Sequence, residues 1–163
     1  MSLSNIQIDN LFSKLRAPFI FLGAISKDEI FEMKNDTCVI INIQNSVDKH
    51  GNNLPGTHWV AAGIKHGQSW YFDSFGLAPL DSLSDALPNP VVYNTREVQD
   101  MDSVKCGFYA IAACIHFNSS NKPPEKSMQE FVEQLDEPDL MKNDELIMRY
   151  LNDVCLKKGY VSE

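Results

Sequence analysis

Four side chains in this sequence are of the types that together make and break acyl bonds: a thiol, an imidazole, a carboxylate and a carboxamide. The thiol is Cys106, in the segment Gln99-Asp100-Met101-Asp102-Ser103-Val104-Lys105-Cys106-Gly107-Phe108-Tyr109. A cysteine attacks only as its thiolate, and its ordinary pKa near 8.5 leaves about a few per cent ionised at neutral pH. Two devices favour the thiolate, namely a neighbouring imidazolium and the positive end of a helix. Cys106 is expected in the first turn of an apolar helix, which supplies the second device. Ser103 and Asp102 are the expected caps of that helix. Gly107, without a side chain, leaves the approach of a carbonyl group open.

The imidazole has four candidates: His50, His58, His66 and His116. His116 lies ten residues along the same helix as Cys106. At about 1.5 Å per residue that is about 15 Å, beyond contact. His50 falls in a polar loop and His66 in a hairpin turn, where a solvated histidine needs no special role. His58 opens an apolar strand, and the following Trp59 is expected to shield its ring from water. Asp73 closes the partner strand after Trp70-Tyr71-Phe72. A carboxylate there is either a turn former at the strand end or, where the register of antiparallel neighbours about 5 Å apart brings it near His58, the group that fixes the tautomer of the ring. Gln99 has a side-chain NH₂ that, with the backbone N–H of Cys106, can donate to a developing oxyanion. A base, an orienting acid, an oxyanion donor and a nucleophile thus follow one another along the chain.

The elements that must position these groups are legible as patterns. Ile6, Ile8, Leu11, Phe12 and Leu15 recur at helical spacing, and Pro18 ends that helix. Phe19 to Leu22 and Cys38 to Ile43 read as interior strands, and Asn45 to Pro55 as a polar loop. His58 to Ile64 and Ser69 to Asp73 form a hairpin joined by Lys65-His66-Gly67-Gln68. A brief helix follows around Asp81 to Leu87, then a short strand from Val91 to Tyr93. Cys106 to Phe117 is apolar on all sides, so this helix is expected inside the domain. Ser127 to Leu135 and Leu140 to Leu156 read as amphipathic helices, the acidic residues from Glu125 to Glu145 forming a solvated face.

Composition bounds what such a chain does. Its 163 residues are 44% hydrophobic and 10% aromatic. That suits one α+β domain over residues 1–163, with an acidic helical C-terminal part from about 122. The net charge of −8 argues against a surface that tracks phosphates. Cys38, Cys106, Cys114 and Cys155 form no CxxC pair, so neither a zinc site nor a disulfide framework is expected. Cys38 and Cys155 read as buried thiols of a reducing compartment. No segment has the roughly 20 apolar residues of a membrane span, and Pro18 to Ile25, itself too short, follows an amphipathic stretch instead of a basic n-region, so no signal peptide is expected.

Taken together, Gly56-Thr57-His58-Trp59, Phe72-Asp73-Ser74-Phe75-Gly76, and Gln99 followed seven residues later by Cys106-Gly107 resemble the adenain-type cysteine proteases of adenoviruses. The resemblance is closer still to the relatives carried by Maverick/Polinton-type elements, in the clan that includes the proteases of SUMO and other ubiquitin-like proteins. It covers Asn5 to Phe117. It implies a papain-like cysteine protease fold, a central mixed sheet packed against the buried helix that carries the nucleophile. It implies His58 as base, Asp73 as its orienter, Cys106 as nucleophile and Gln99 in the oxyanion hole. The implied substrate is a viral or mobile-element precursor protein cut near small residues such as glycine, in a narrow cleft over Gly107 and Trp59.

Adenoviral enzymes are basic, and are stimulated by DNA and by a peptide joined through a cysteine. This chain is acidic and has no cysteine between Cys38 and Cys106, so neither DNA nor any other cofactor is expected to be required. The expected protein is a monomeric intracellular thiol endopeptidase of host cytoplasm, nucleus or virion, without membrane contact. The alternatives are a SUMO/ubiquitin-like isopeptidase and a catalytically silent protein-binding module.

Overall fold

The computed structural model of the protein describes residues 2–15, 17–44, 49–52 and 58–157. Most of the loop read at Asn45 to Pro55, the Gly56-Thr57 pair and the side chain of Cys155 lie outside the described residues. The described elements are α1 (Asn5–Lys14), β1 (Ile20–Ser26), β2 (Thr37–Asn42), β3 (Trp59–Lys65), β4 (Gln68–Phe72), β5 (Val91–Tyr93), α2 (Cys106–Ser119), α3 (Pro124–Glu133) and α4 (Met141–Lys157). Five strands form one mixed sheet in the order β1-β2-β3-β4-β5. The two outer pairs, β1/β2 and β4/β5, are parallel, and the two inner pairs are antiparallel. The architecture is α+β, a mixed sheet packed against helices.

Alternation along the inner strands sends side chains to two cores. Cys38, Ile40, Trp59, Ala61, Trp70 and Phe72 face α2, together with Ile8 and Phe12 of α1 and Phe131 of α3. Val39, Ile41, Val60, Ala62, Ile64 and Tyr71 face the other way, onto Leu83, Ala86, Leu87 and Met33. Both faces are covered, which is why β2 is buried along its whole length and reads as an unbroken apolar run.

The central helix α2 is buried all round, as its composition predicts, with Ala110, Ala112 and Ala113 allowing close approach to the sheet. Its far end is fixed to β4. Trp70 stacks on Phe117 with ring centroids 4.4 Å apart, and its Nε1–H donates to Asn118 Oδ1 at 2.8 Å. Gly63 pairs with Trp70 across the ladder, and a Cβ there would stand 2.6 Å from the indole nitrogen. Only a residue without a side chain lets the indole lie across β3.

Several boundaries differ from the pattern. β1 runs to Ser26 because Gly23, at φ 127°, bulges the strand instead of ending it. The freed Ala24 N–H donates to Asp9 Oδ1 of α1 at 2.8 Å. The β3–β4 turn is only His66-Gly67, both at positive φ, 51° and 73° respectively. The strands therefore reach Lys65 and begin again at Gln68. The helix read at Asp81 to Leu87 is a single 3₁₀ turn, Asp81–Leu83.

Candidate active site

The hairpin turn sets the register of β3 against β4, whose last pair at this end is Ala61 with Phe72. His58 precedes β3 and Asp73 follows β4, so both sit where the ladder opens. His58 Nε2 and Asp73 Oδ1 are 2.8 Å apart, and both residues are buried. Asp73 is itself held in place. Its backbone N–H donates to Asn94 Oδ1 at 3.1 Å, and Asn94 Nδ2 donates back to its carbonyl at 2.7 Å. The same Asp73 Oδ1 accepts the Phe75 N–H at 2.8 Å, closing a tight turn.

Cys106 opens α2 and is buried with the same core, and its thiol acts on the same imidazole as the Asp73 carboxylate. Burial pulls the imidazolium pKa down, but hydrogen bonding with Asp73 and with Cys106, and the charges of both, outweigh it. The His58 pKa is raised from 6.5 to about 9. With Nε2 committed to Asp73, the ring nitrogen left for the thiol is Nδ1. His58 is therefore a ring that holds a proton through neutral pH beside the Cys106 sulfur.

A ring that covers His58 is that of Phe75, which lies on the imidazole with centroids 4.4 Å apart and planes 13° from parallel. The Trp59 indole donates to the Leu3 carbonyl at 2.8 Å. Gly107 differs from expectation. It is buried beneath Leu3, and a Cβ on it would stand 3.1 Å from Leu3 Cβ and Cδ1, so its missing side chain makes room for the N-terminal segment. Neither Ser103 nor Asp102 caps α2; the N-cap is Lys105, without a side-chain hydrogen bond.

Gln99 arrives by a second clamp. The Val98 and Gln99 N–H groups both donate to the Ser74 carbonyl, at 2.9 and 3.1 Å, tying this segment to the turn after Asp73. Gly76, at φ 72°, lies so close to the backbone of Thr95 and Arg96 that a Cβ would approach within 2.8 Å. The Gln99 carboxamide is fully buried. Its Oε1 accepts from Ser74 Oγ at 2.5 Å, and its Nε2 donates to both the carbonyl and the hydroxyl of Ser103, each at 3.1 Å. That pattern fixes which end of the amide is nitrogen, because a carbonyl only accepts.

The other histidines lie outside this cluster. His116 Nε2 pairs with the Ser127 carbonyl at 3.1 Å, among Phe117, Phe131 and Tyr150. His50 and His66 are exposed. Cys38, Cys106 and Cys114 are free thiols. Burial beside Cys114 pushes the Cys38 thiol well above its ordinary pKa, as for an inert core group.

Asn94, Phe75 and Ser74 are the site's supporting residues that patterns missed. Each acts through a loop contact or across many residues of chain, and only Ser74 and Phe75, within Asp73-Ser74-Phe75-Gly76, stood inside a quoted motif. Among the described residues no cluster of metal-ligating side chains occurs, and no helix is long and apolar enough to cross a membrane. No protein-family model matches the chain, and no curated protein matches its sequence.

Proposed function

We propose that the protein is a cysteine endopeptidase with a papain-like arrangement, acting through Cys106, His58 and Asp73. The observation that carries this reading is the buried His58–Asp73 pair, 2.8 Å apart, in one core with the buried Cys106 at the start of α2. A silent binding module has no use for a buried imidazole whose proton affinity is raised by a carboxylate and a thiol together.

In this reading the proton between Cys106 and His58 already rests on His58 Nδ1, and the thiolate sulfur attacks the scissile carbonyl carbon. A C–S bond forms while the carbonyl π pair moves onto oxygen. The Cys106 N–H at the start of α2 faces that oxyanion, with the positive end of the helix behind it. Gln99 Nε2, held on Ser103, is the second donor in this reading. Collapse breaks the C–N bond, and His58 gives its proton to the leaving amine. Water, deprotonated by His58, then adds to the thioester, and Cys106 leaves.

The precursor-processing role and the preference for small residues rest on the adenain-like motifs at His58, Asp73, Gln99 and Cys106. Incubation with a peptide library rich in glycine, followed by mass spectrometry of the products, tests the reading. Cleavage lost in Cys106→Ala supports it. Reaction with a ubiquitin-like vinyl sulfone and not with peptides makes the protein an isopeptidase, and no reaction with either makes it a binding module.

A further inference from the structure

The acidic C-terminal part does not form only a solvated face. Asp144, in the first turn of α4, is 8% exposed and turned into the molecule. Its Oδ2 accepts the Ser103 hydroxyl at 2.8 Å, and its Oδ1 accepts the Tyr109 hydroxyl at 2.9 Å. The neighbouring Asn143, fully buried, donates from Nδ2 to the Val98 carbonyl at 2.8 Å and to that of Leu135 at 3.1 Å. The start of α4 thus grips the chain on both sides of Gln99, at Val98 and at Ser103.

Ser103 is the node of this arrangement. A serine hydroxyl has one proton to give and two lone pairs to offer. The proton goes to Asp144, and the lone pairs receive Gln99 Nε2 at 3.1 Å and the Lys105 N–H at 3.2 Å. A charged acceptor is the strongest partner for that proton, so it fixes the hydroxyl rotor with both lone pairs facing the catalytic side. Gln99 and the backbone immediately before Cys106 then hang on one oriented oxygen. Tyr109, whose phenol pKa is raised by burial and by Asp144, keeps its proton and ties the same carboxylate to α2.

We infer that Asp144 is a positioning residue for the oxyanion hole, acting through the Ser103 hydroxyl on Gln99 and on the N-terminus of α2. This rests on the endopeptidase reading. It assigns the start of α4 to the working site and not to an appendage.

Steady-state kinetics on a cleaved peptide, iodoacetamide alkylation of Cys106 and thermal unfolding test it with Asp144→Asn, Ser103→Ala, the double variant, Ser103→Thr and Tyr109→Phe. Expected is a fall in kcat of about tenfold in Asp144→Asn and in Ser103→Ala, a part of the about 10²- to 10³-fold that loss of a whole oxyanion donor costs. KM and the alkylation rate stay within about twofold, because the thiol and His58 are untouched. The double variant is no slower than either single, Ser103→Thr regains most of the rate, and Tyr109→Phe unfolds earlier with a kcat loss smaller than that of Ser103→Ala. Wild-type kcat in Asp144→Asn overturns the inference, as does a kcat loss in Tyr109→Phe equal to that in Ser103→Ala. Should Asp144→Asn not fold, Ser103→Ala against Ser103→Thr and Tyr109→Phe decides alone. A wild-type protein inert to every peptide defeats the endopeptidase reading itself, and this inference with it.

Discussion

Phe75 lies flat against His58, its ring centroid 4.4 Å from the imidazole centroid, and its own N–H bonds the carboxylate oxygen that pairs with His58. One residue thereby covers the ring and steadies its partner. An aromatic pair of this kind contributes about 0.5–1.5 kcal/mol beyond the area it buries. Phe75→Ala should therefore lower kcat/KM by up to about tenfold without abolishing it, since its N–H remains and Asp73 stays in place. Peptide hydrolysis by purified Phe75→Ala and Phe75→Leu checks this, with Leu the milder change.

His58 and His116 should separate cleanly. His58→Ala removes the proton carrier and is expected to cost between about 10²- and 10⁴-fold in kcat. His116→Ala removes a ring packed among Phe117, Phe131 and Tyr150. That change should cost stability, about 1–3 kcal/mol, with kcat retained. Denaturant midpoints and turnover measured on the same preparations distinguish the two kinds of loss.

Proton linkage gives a signed expectation. Folding raises the His58 pKa from 6.5 to about 9, so between those values the folded chain holds more of this proton than the unfolded one. The stabilisation, on the order of 3 kcal/mol, is complete below pH 6.5 and is lost as pH rises through about 9. Activity should fall over the same alkaline range as the leaving amine loses its acid. Asp73→Asn keeps the shape and removes the charge, so the alkaline limb should move to lower pH and the pH dependence of the unfolding midpoint should flatten. A limb unchanged in Asp73→Asn would mean that the carboxylate does not set the histidine's proton affinity.

The scaffold has its own test. Gly63→Ala places a methyl group 2.6 Å from the Trp70 indole nitrogen, in a pair held by Asn118 and Phe117. Overpacking of this kind costs about 1–3 kcal/mol. Thermal unfolding should shift down by several degrees, and Trp70 fluorescence should change with it.

Much of this was legible because the chemistry sits at the ends of strongly patterned elements. His58 and Asp73 flank a hairpin whose alternation and turn are written locally, and Cys106 begins a helix that is apolar on every side. The supports were not legible, because they depend on pairings that local patterns cannot carry. Ser103 meets Asp144 across 41 residues, and Asn94 meets Asp73 across 21. Asp144 was hidden by its company, since an acidic run reads as solvated when its members are averaged. Gly23 misled in the opposite sense, since a glycine closing an apolar run reads as a strand end, while Asp9 stabilises it as a bulge.

The central claim is that Cys106 is a nucleophile served by His58. The most direct measurement is intact-mass analysis of the folded protein after a short irreversible peptide probe that reacts with thiolates, compared among wild type, Cys106→Ala and His58→Ala. Expected is one adduct per wild-type chain, mapped to Cys106, none in Cys106→Ala, and much slower labelling in His58→Ala. Labelling of Cys106 no faster than that of an exposed cysteine in an unfolded control, or unaffected by loss of His58, would contradict it.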